Sequence, residues 1–207
     1  MSSVKVLIEG YAKTVDDVEF ASSSVTLIRE GSLNILVDVG MDRQALLGAL
    51  AKEGLTPADI DFVVLTYTHL DHCLLAGIFE DATVLDGDSA YAYDGKIILH
   101  GGRVPGTDIG ILATPGHNQF HCAVVVKTEA YGTVAIVGDV FWWPDGVEAS
   151  TDRSSLVDLD DPYVKDTAAL RESREMLLEI ADYIIPGHGK PFFKPKSTRT
   201  KKYANID

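Results

Sequence analysis

Four short apolar runs in this chain each stop at a turn that carries histidine or aspartate. Phe62 to Leu65 leads into Thr66-Tyr67-Thr68-His69-Leu70-Asp71-His72. Ile109 to Ala113 leads into Thr114-Pro115-Gly116-His117, Val134 to Val137 into Gly138-Asp139, and Tyr183 to Ile185 into Pro186-Gly187-His188. Runs of this length are strands, and Phe62 to Leu65, apolar throughout, suits a strand covered on both faces. If the strands lie side by side, their ends bring imidazoles and carboxylates to one edge of a rigid sheet. Such donors suit zinc, or iron or manganese. A tight turn through His69, Asp71 and His72 would let them serve two ions, ~3.5–4 Å apart.

The rest of the chain supports a layered α/β fold. Val4 to Ile8, Ser24 to Glu30 and Leu33 to Val39 read as strands, the last two joined by a Glu30-Gly31-Ser32 turn. Asp42 caps a helix with Ala45, Leu46, Ala49 and Leu50 at helical spacing, and Gly54 ends it. Leu74 to Phe79 reads as a helical turn or two. Asp94-Gly95 marks a hairpin between Tyr91/Tyr93 and Ile97 to Leu99. Thr83 to Leu85 and Ala123 to Val126 add strands. A helix lies within Tyr163 to Tyr183, with Ala168, Ala169, Met176, Leu177 and Ile180 on one side. No change of composition marks a linker, so residues 1–193 are read as one domain and 194–207 as a basic tail.

Charge narrows the function classes. The 207 residues carry 31 acids and 18 bases, a net charge of -13. Five of the bases and one of the acids lie between Lys194 and Asp207, so residues 1–193 hold 13 bases and 30 acids, a net -17. A body this acidic repels phosphate backbones, which disfavours nucleic acid as a partner and favours a small-molecule substrate. Apolar stretches fall far short of the ~20 residues of a membrane span. The first ten residues lack the apolar core of a secretory signal, and two cysteines do not make a disulfide scaffold. A cytoplasmic protein, monomeric or homodimeric, is expected.

The strand-end pattern resembles the metallo-β-lactamase superfamily, whose signature is Thr-His-x-His-x-Asp-His followed by a distant His, an Asp and a last His. The likeness runs from Val25 to Gly189. Thr114 to His117, Gly132 to Phe141, and Ala181 to Gly189 with Pro191-Phe192 further resemble the metallo-β-lactamase domain-containing protein 1 subfamily. The resemblance implies a four-layer αββα sandwich with metals at one edge of its two sheets. It assigns His69 and His117 to metal site one, Asp71, His72 and His188 to site two, and Asp139 to a bridge between them. One or two zinc ions are implied, with iron or manganese as alternatives. Asp38, which ends a strand, would support the metal loop without binding metal itself.

Tyr67 breaks the signature, standing where the first His belongs. It is a phenolate ligand that would favour iron, or a non-ligand that leaves site one weak, or an introduced change. The weak first site is the reading adopted. The implied activity is that of a metallo-hydrolase: metal lowers the pKa of bound water from about 15.7 to about 7, and the hydroxide attacks an ester, lactone, thioester or phosphodiester. Asp71 would also orient that nucleophile. Two alternatives stand beside it: a non-haem iron dioxygenase of the persulfide dioxygenase type, and a catalytically impaired metal-binding protein. His121, Trp142 and Trp143 are candidates for substrate contact. His100 and Cys122 read as structural, Cys73 as a small buried residue. The acidic stretch from Asp145 to Asp166 reads as a solvated loop.

Overall fold

A computed structural model describes residues 2–195. Its strands are β1 (Ser3–Ile8), β2 (Tyr11–Val15), β3 (Val18–Ser22), β4 (Val25–Glu30), β5 (Leu33–Val37), β6 (Phe62–Val64), β7 (Thr83–Leu85), β8 (Ser89–Tyr91) and β9 (Ile97–Leu99) in the first half. The second half holds β10 (Gly110–Ala113), β11 (Cys122–Thr128), β12 (Gly132–Ile136), β13 (Tyr183–Ile185) and β14 (Phe192–Phe193). The α-helices are α1 (Arg43–Lys52), α2 (Leu70–Cys73), α3 (Arg153–Val157) and α4 (Thr167–Ile180). One sheet runs β1-β4-β5-β6-β7-β8-β9, a second β10-β11-β12-β13-β14, and β2 and β3 form a separate hairpin.

Alternation along the central strands builds the layers, because successive side chains point to opposite faces. Ile28, Ile35, Val37 and Val64 of the first sheet meet Val124, Val134, Ile136 and Ile185 of the second in one buried cluster. Their neighbours Leu27, Leu36 and Val63 face outward and are covered by Leu46 and Leu50 of α1. Ala123, Ala135 and Ile184 face outward from the second sheet and are covered by Leu170, Leu177 and Leu178 of α4. Helix, sheet, sheet and helix stack as expected of an αββα sandwich.

Three features differ from the expectation. β6 belongs to the first sheet while β10, β12 and β13 belong to the second, so the four strands meet at a joint between sheets. The β2–β3 hairpin was not foreseen, because its turn is Asp16-Asp17, both with positive φ (50° and 61°), and lacks the Asn-Gly or Asp-Gly that announces such turns. α4 buries Leu170, Ser173, Arg174, Leu177 and Leu178, whereas Met176 and Ile180 are exposed. Of the expected face Leu177 is buried, but counting apolar residues missed the polar side chains beside it, which find buried acceptors. Ser173 Oγ donates to Pro115 O at 2.8 Å. Arg174 donates from Nε to Val140 O at 2.9 Å and from Nη1 to Leu159 O at 2.5 Å and Val157 O at 3.3 Å. Burial lowers the Arg174 pKa to about 10. Apart from Lys194 and Pro195, the basic tail lies outside the described residues.

Arg174→Met keeps the stem and removes every donor, taking that partner from two buried carbonyls and one half-buried one. A loss of about 3 kcal/mol in unfolding free energy is expected from urea denaturation. A change below about 0.5 kcal/mol, the size of an ordinary surface substitution, would show that the carbonyls find other partners.

Candidate metal centre

The joint between the sheets is closed by backbone hydrogen bonds close to the polar turns. Cys122 N, at the start of β11, donates to Thr66 O at 2.8 Å, and Gly187 N donates to Gly138 O at 2.7 Å. Gly187 must be glycine, because a Cβ there would lie 1.9 Å from Asp139 Oδ1. Gly138 has φ +46°, and a Cβ would meet Thr66 Oγ1 at 2.5 Å. These close approaches push the Asp139 turn against the β6 and β13 ends.

Asp71, His72 and His188 are buried there, and each offers a donor atom within 4.8 Å of the others. His188 Nε2 is 3.3 Å from Asp71 Oδ2 and 3.5 Å from Asp139 Oδ1. His72 Nε2 is 3.3 Å from Asp139 Oδ1 and 3.8 Å from Asp71 Oδ2. The other ring nitrogen of each histidine is already committed. His72 Nδ1 donates to Asp38 Oδ2 at 2.8 Å and His188 Nδ1 to the Tyr11 carbonyl at 2.9 Å. Both Nε2 lone pairs are thereby turned into the cluster.

His72 Nε2 and Asp139 Oδ1 are buried with no hydrogen-bond partner. Although 3.3 Å apart, they are not aligned on each other. Two orphaned donor atoms aimed at a shared point fit a divalent cation between them. Electrostatics agree. Burial opposes a charge on His72, yet Asp139 and Asp38 outweigh it and hold its pKa well above the imidazole range. Burial likewise opposes charge on His188, and Asp139 and Asp71 push it up to about 9. Asp139 stays well below the carboxylate range, because His72 and His188 overcome its burial.

Comparison with known proteins places this geometry. The metallo-beta-lactamase superfamily matches residues 18–87. Metallo-beta-lactamase domain-containing protein 1 of Xenopus laevis is 36% identical over 200 residues, covering 92% of this chain and 81% of that protein. The Homo sapiens protein of the same name is 36% identical over 226 residues, with the same two coverages, 92% and 81%. The chain belongs to the metallo-beta-lactamase superfamily. The fold matches AidC, a dizinc quorum-quenching lactonase, with TM-score 0.66 at 15% identity over 87% of this chain and 78% of AidC.

Of the six residues the resemblance assigns to metal, the structure brings Asp71, His72, Asp139 and His188 together, with His117 beside Asp139 and His69 turned away. The His69 side chain is 70% exposed, its Nδ1 turned to Asp71 Oδ1 at 2.6 Å. His117 is buried, its Nδ1 donating to Asp161 Oδ2 at 2.7 Å and its Nε2 3.6 Å from Asp139 Oδ2. Tyr67 is buried among these rings, and its hydroxyl donates to Asp139 Oδ2 at 2.7 Å. Burial and the nearby Asp139 raise its pKa far above that of a free phenol. Without a cation beside it Tyr67 is thus a protonated phenol, and its hydroxyl takes up one oxygen of Asp139.

Other candidates fall in distinct places. Asp38 ends β5 with φ +53°, a conformation that aspartate tolerates better than most residues. Its carboxylate also accepts from Thr66 N and Thr66 Oγ1, both at 2.8 Å. His121 does not reach substrate space. It is buried, accepts from Asp139 N at 3.2 Å through Nε2, and meets Thr114 Oγ1 at 2.9 Å through Nδ1. Burial holds its pKa down at about 3, so it is a neutral prop for the Asp139 turn. Trp143 is a core residue packed on Phe192, while Trp142 lies on the wall of a cavity of about 450 Å³ over the cluster. Lys13 and Phe20 of the unforeseen hairpin, with Asn118 and Tyr163, share that wall.

Asp161 was missed. It lies in the acidic stretch read as solvated, yet it is buried against His117 and also accepts from Trp142 Nε1 at 3.4 Å.

Asp38→Asn keeps the left-handed backbone and most of the shape while removing the charge that holds His72. Metal affinity should fall about 10–100-fold in competition with a chromophoric chelator, as for other partners of metal-binding histidines. Unchanged affinity would show that Asp38 serves the strand ends alone.

Proposed function

We propose that this protein is a metal-dependent hydrolase of small molecules, working with one firmly held cation. The convergence of the Asp71, His72 and His188 donors, with unpartnered lone pairs on His72 and Asp139, carries that reading. Two imidazoles and a carboxylate suit zinc. Bound there, the cation supplies Lewis acidity and a water ionised near pH 7. The chain's own groups do the positioning. Asp38 and the Tyr11 carbonyl aim the two imidazoles. Asp71 lines the cavity and can accept a proton from an attacking water while orienting it. Tyr67 holds Asp139 to one orientation through Oδ2, which leaves the first metal site incomplete.

Esters, thioesters and lactones fit a cavity of about 450 Å³. The net -17 of residues 1–193 makes nucleic acid a poor substrate. Two histidines and one carboxylate also make the donor set of non-haem iron oxygenases. Iron with visible absorption in freshly purified protein, and no ester cleavage, would replace the hydrolase reading with that one.

Elemental analysis of purified protein should find about one zinc-type cation per chain if site two alone is filled. His72→Ala should abolish both the cation and the cleavage of a para-nitrophenyl ester. Tyr67→His should move the count towards two and raise turnover. Ester cleavage that survives in metal-free His72→Ala protein would overturn the proposal.

A further inference from the structure

The cavity over the cluster carries two lysines on separate walls. Lys13 comes from β2 of the hairpin, and Lys165 from the segment that precedes α4. Lys165 N donates to Gly116 O at 2.8 Å, which fixes that segment beside the His117-Asn118 turn. Among the described residues neither lysine enters an ion pair, whereas Lys5, Lys96 and Lys194 each pair with an acid. In a body with 30 acids and 13 bases, both lysines are thus free to meet an anion that enters the cavity.

The wall's acids do not neutralise them directly. Asp71 and Asp139 face the histidines. Asp145 Oδ1 accepts from Ala12 N at 3.3 Å and so ties the hairpin down. Glu19 remains on the wall, with no ion pair to either lysine among the described residues. Aromatic rings line the same cavity. Trp142 and Tyr163 have centroids 5.8 Å apart, and Phe20 of β3 is about half exposed towards solvent. Asn118 adds an amide. No arginine lines the cavity among the described residues, so the planar fork that favours phosphate is missing.

Resting on the hydrolase reading above, we propose that the substrate is a small ester, thioester or lactone bearing a carboxylate away from the scissile carbonyl. Lys13 and Lys165 hold that carboxylate, and the Phe20, Trp142 and Tyr163 rings hold the apolar part between it and the cluster. The two lysines are specificity residues. They touch neither the attacked carbonyl nor the leaving group.

The test compares para-nitrophenyl hydrogen glutarate with para-nitrophenyl butyrate on the zinc-loaded protein, alongside calorimetric binding of glutarate. An anionic preference of about tenfold in kcat/KM is expected from two partly exposed ion pairs. Lys13→Ala and Lys165→Ala should each lower that preference about threefold to fivefold, through KM. Both should weaken glutarate binding, and Lys127→Ala, on the far β11, should change neither. Cleavage of both esters with no preference, or a preference that survives the double variant, overturns the carboxylate subsite and leaves the hydrolase standing. Lysine-dependent glutarate binding without cleavage of either ester upholds the subsite and sinks the hydrolase. Lysine-dependent binding of phenyl phosphate tighter than that of glutarate overturns the carboxylate in favour of a phosphoryl group.

Discussion

Burial of acid without base dominates this molecule. Asp38, Asp71, Asp139 and Asp161 are all buried at or beside the joint between the sheets. Among the described residues none of them is ion-paired to lysine or arginine. Removing a carboxylate from water costs several kcal/mol unless something positive faces it. Here the facing groups are imidazoles and a phenol. The raised pKa values of His72 and His188 show how the chain answers that demand by itself, with protons. A divalent cation answers it better, since it meets several donors at once and lets the histidines stay neutral.

That demand explains how widely the site's supports are spread. His72 is aimed by the end of β5, His188 by a carbonyl of the hairpin, and His117 by the segment before α4. Arg174 then ties α4 to the carbonyl of Val140, beside Asp139, and to those of Val157 and Leu159, just before Asp161. Donor atoms must be held within about 0.5 Å to share a cation, and loops alone do not achieve this. Both sheets, the hairpin and α4 therefore meet at one place, and glycine is required wherever two turns press together, as at Gly187.

Much of this was readable from the chain because the signals are local. An apolar run that ends in a polar turn says where a strand stops and what its end carries, and all four such turns do meet at the joint. The unbroken apolar run Phe62 to Leu65 also indicated a strand covered on both faces. What escaped reading depends on distant partners. Asp161 looks like its solvated neighbours until His117, 44 positions away, takes its carboxylate. Ser173 and Arg174 look like an exposed face until carbonyls from other segments accept from them. The Trp142-Trp143 pair did contain a clue. Adjacent residues on extended backbone point to opposite sides, so one ring could face the cavity only if the other entered the core.

Tyr67 is best understood as a local exchange on an otherwise preserved frame. His117 keeps its Nδ1 clamp and its Nε2 still faces Asp139, so half of the first site is built. The phenol gives Asp139 Oδ2 a hydrogen bond. A neutral donor satisfies that oxygen without adding charge, so the negative charge of Asp139 and Asp71 is still to be met beside His72 and His188. His69 turns outward and pairs with Asp71 on the lining of the cavity. A single neutral side chain thus meets part of the demand of a buried carboxylate that lysine and arginine leave unpaired.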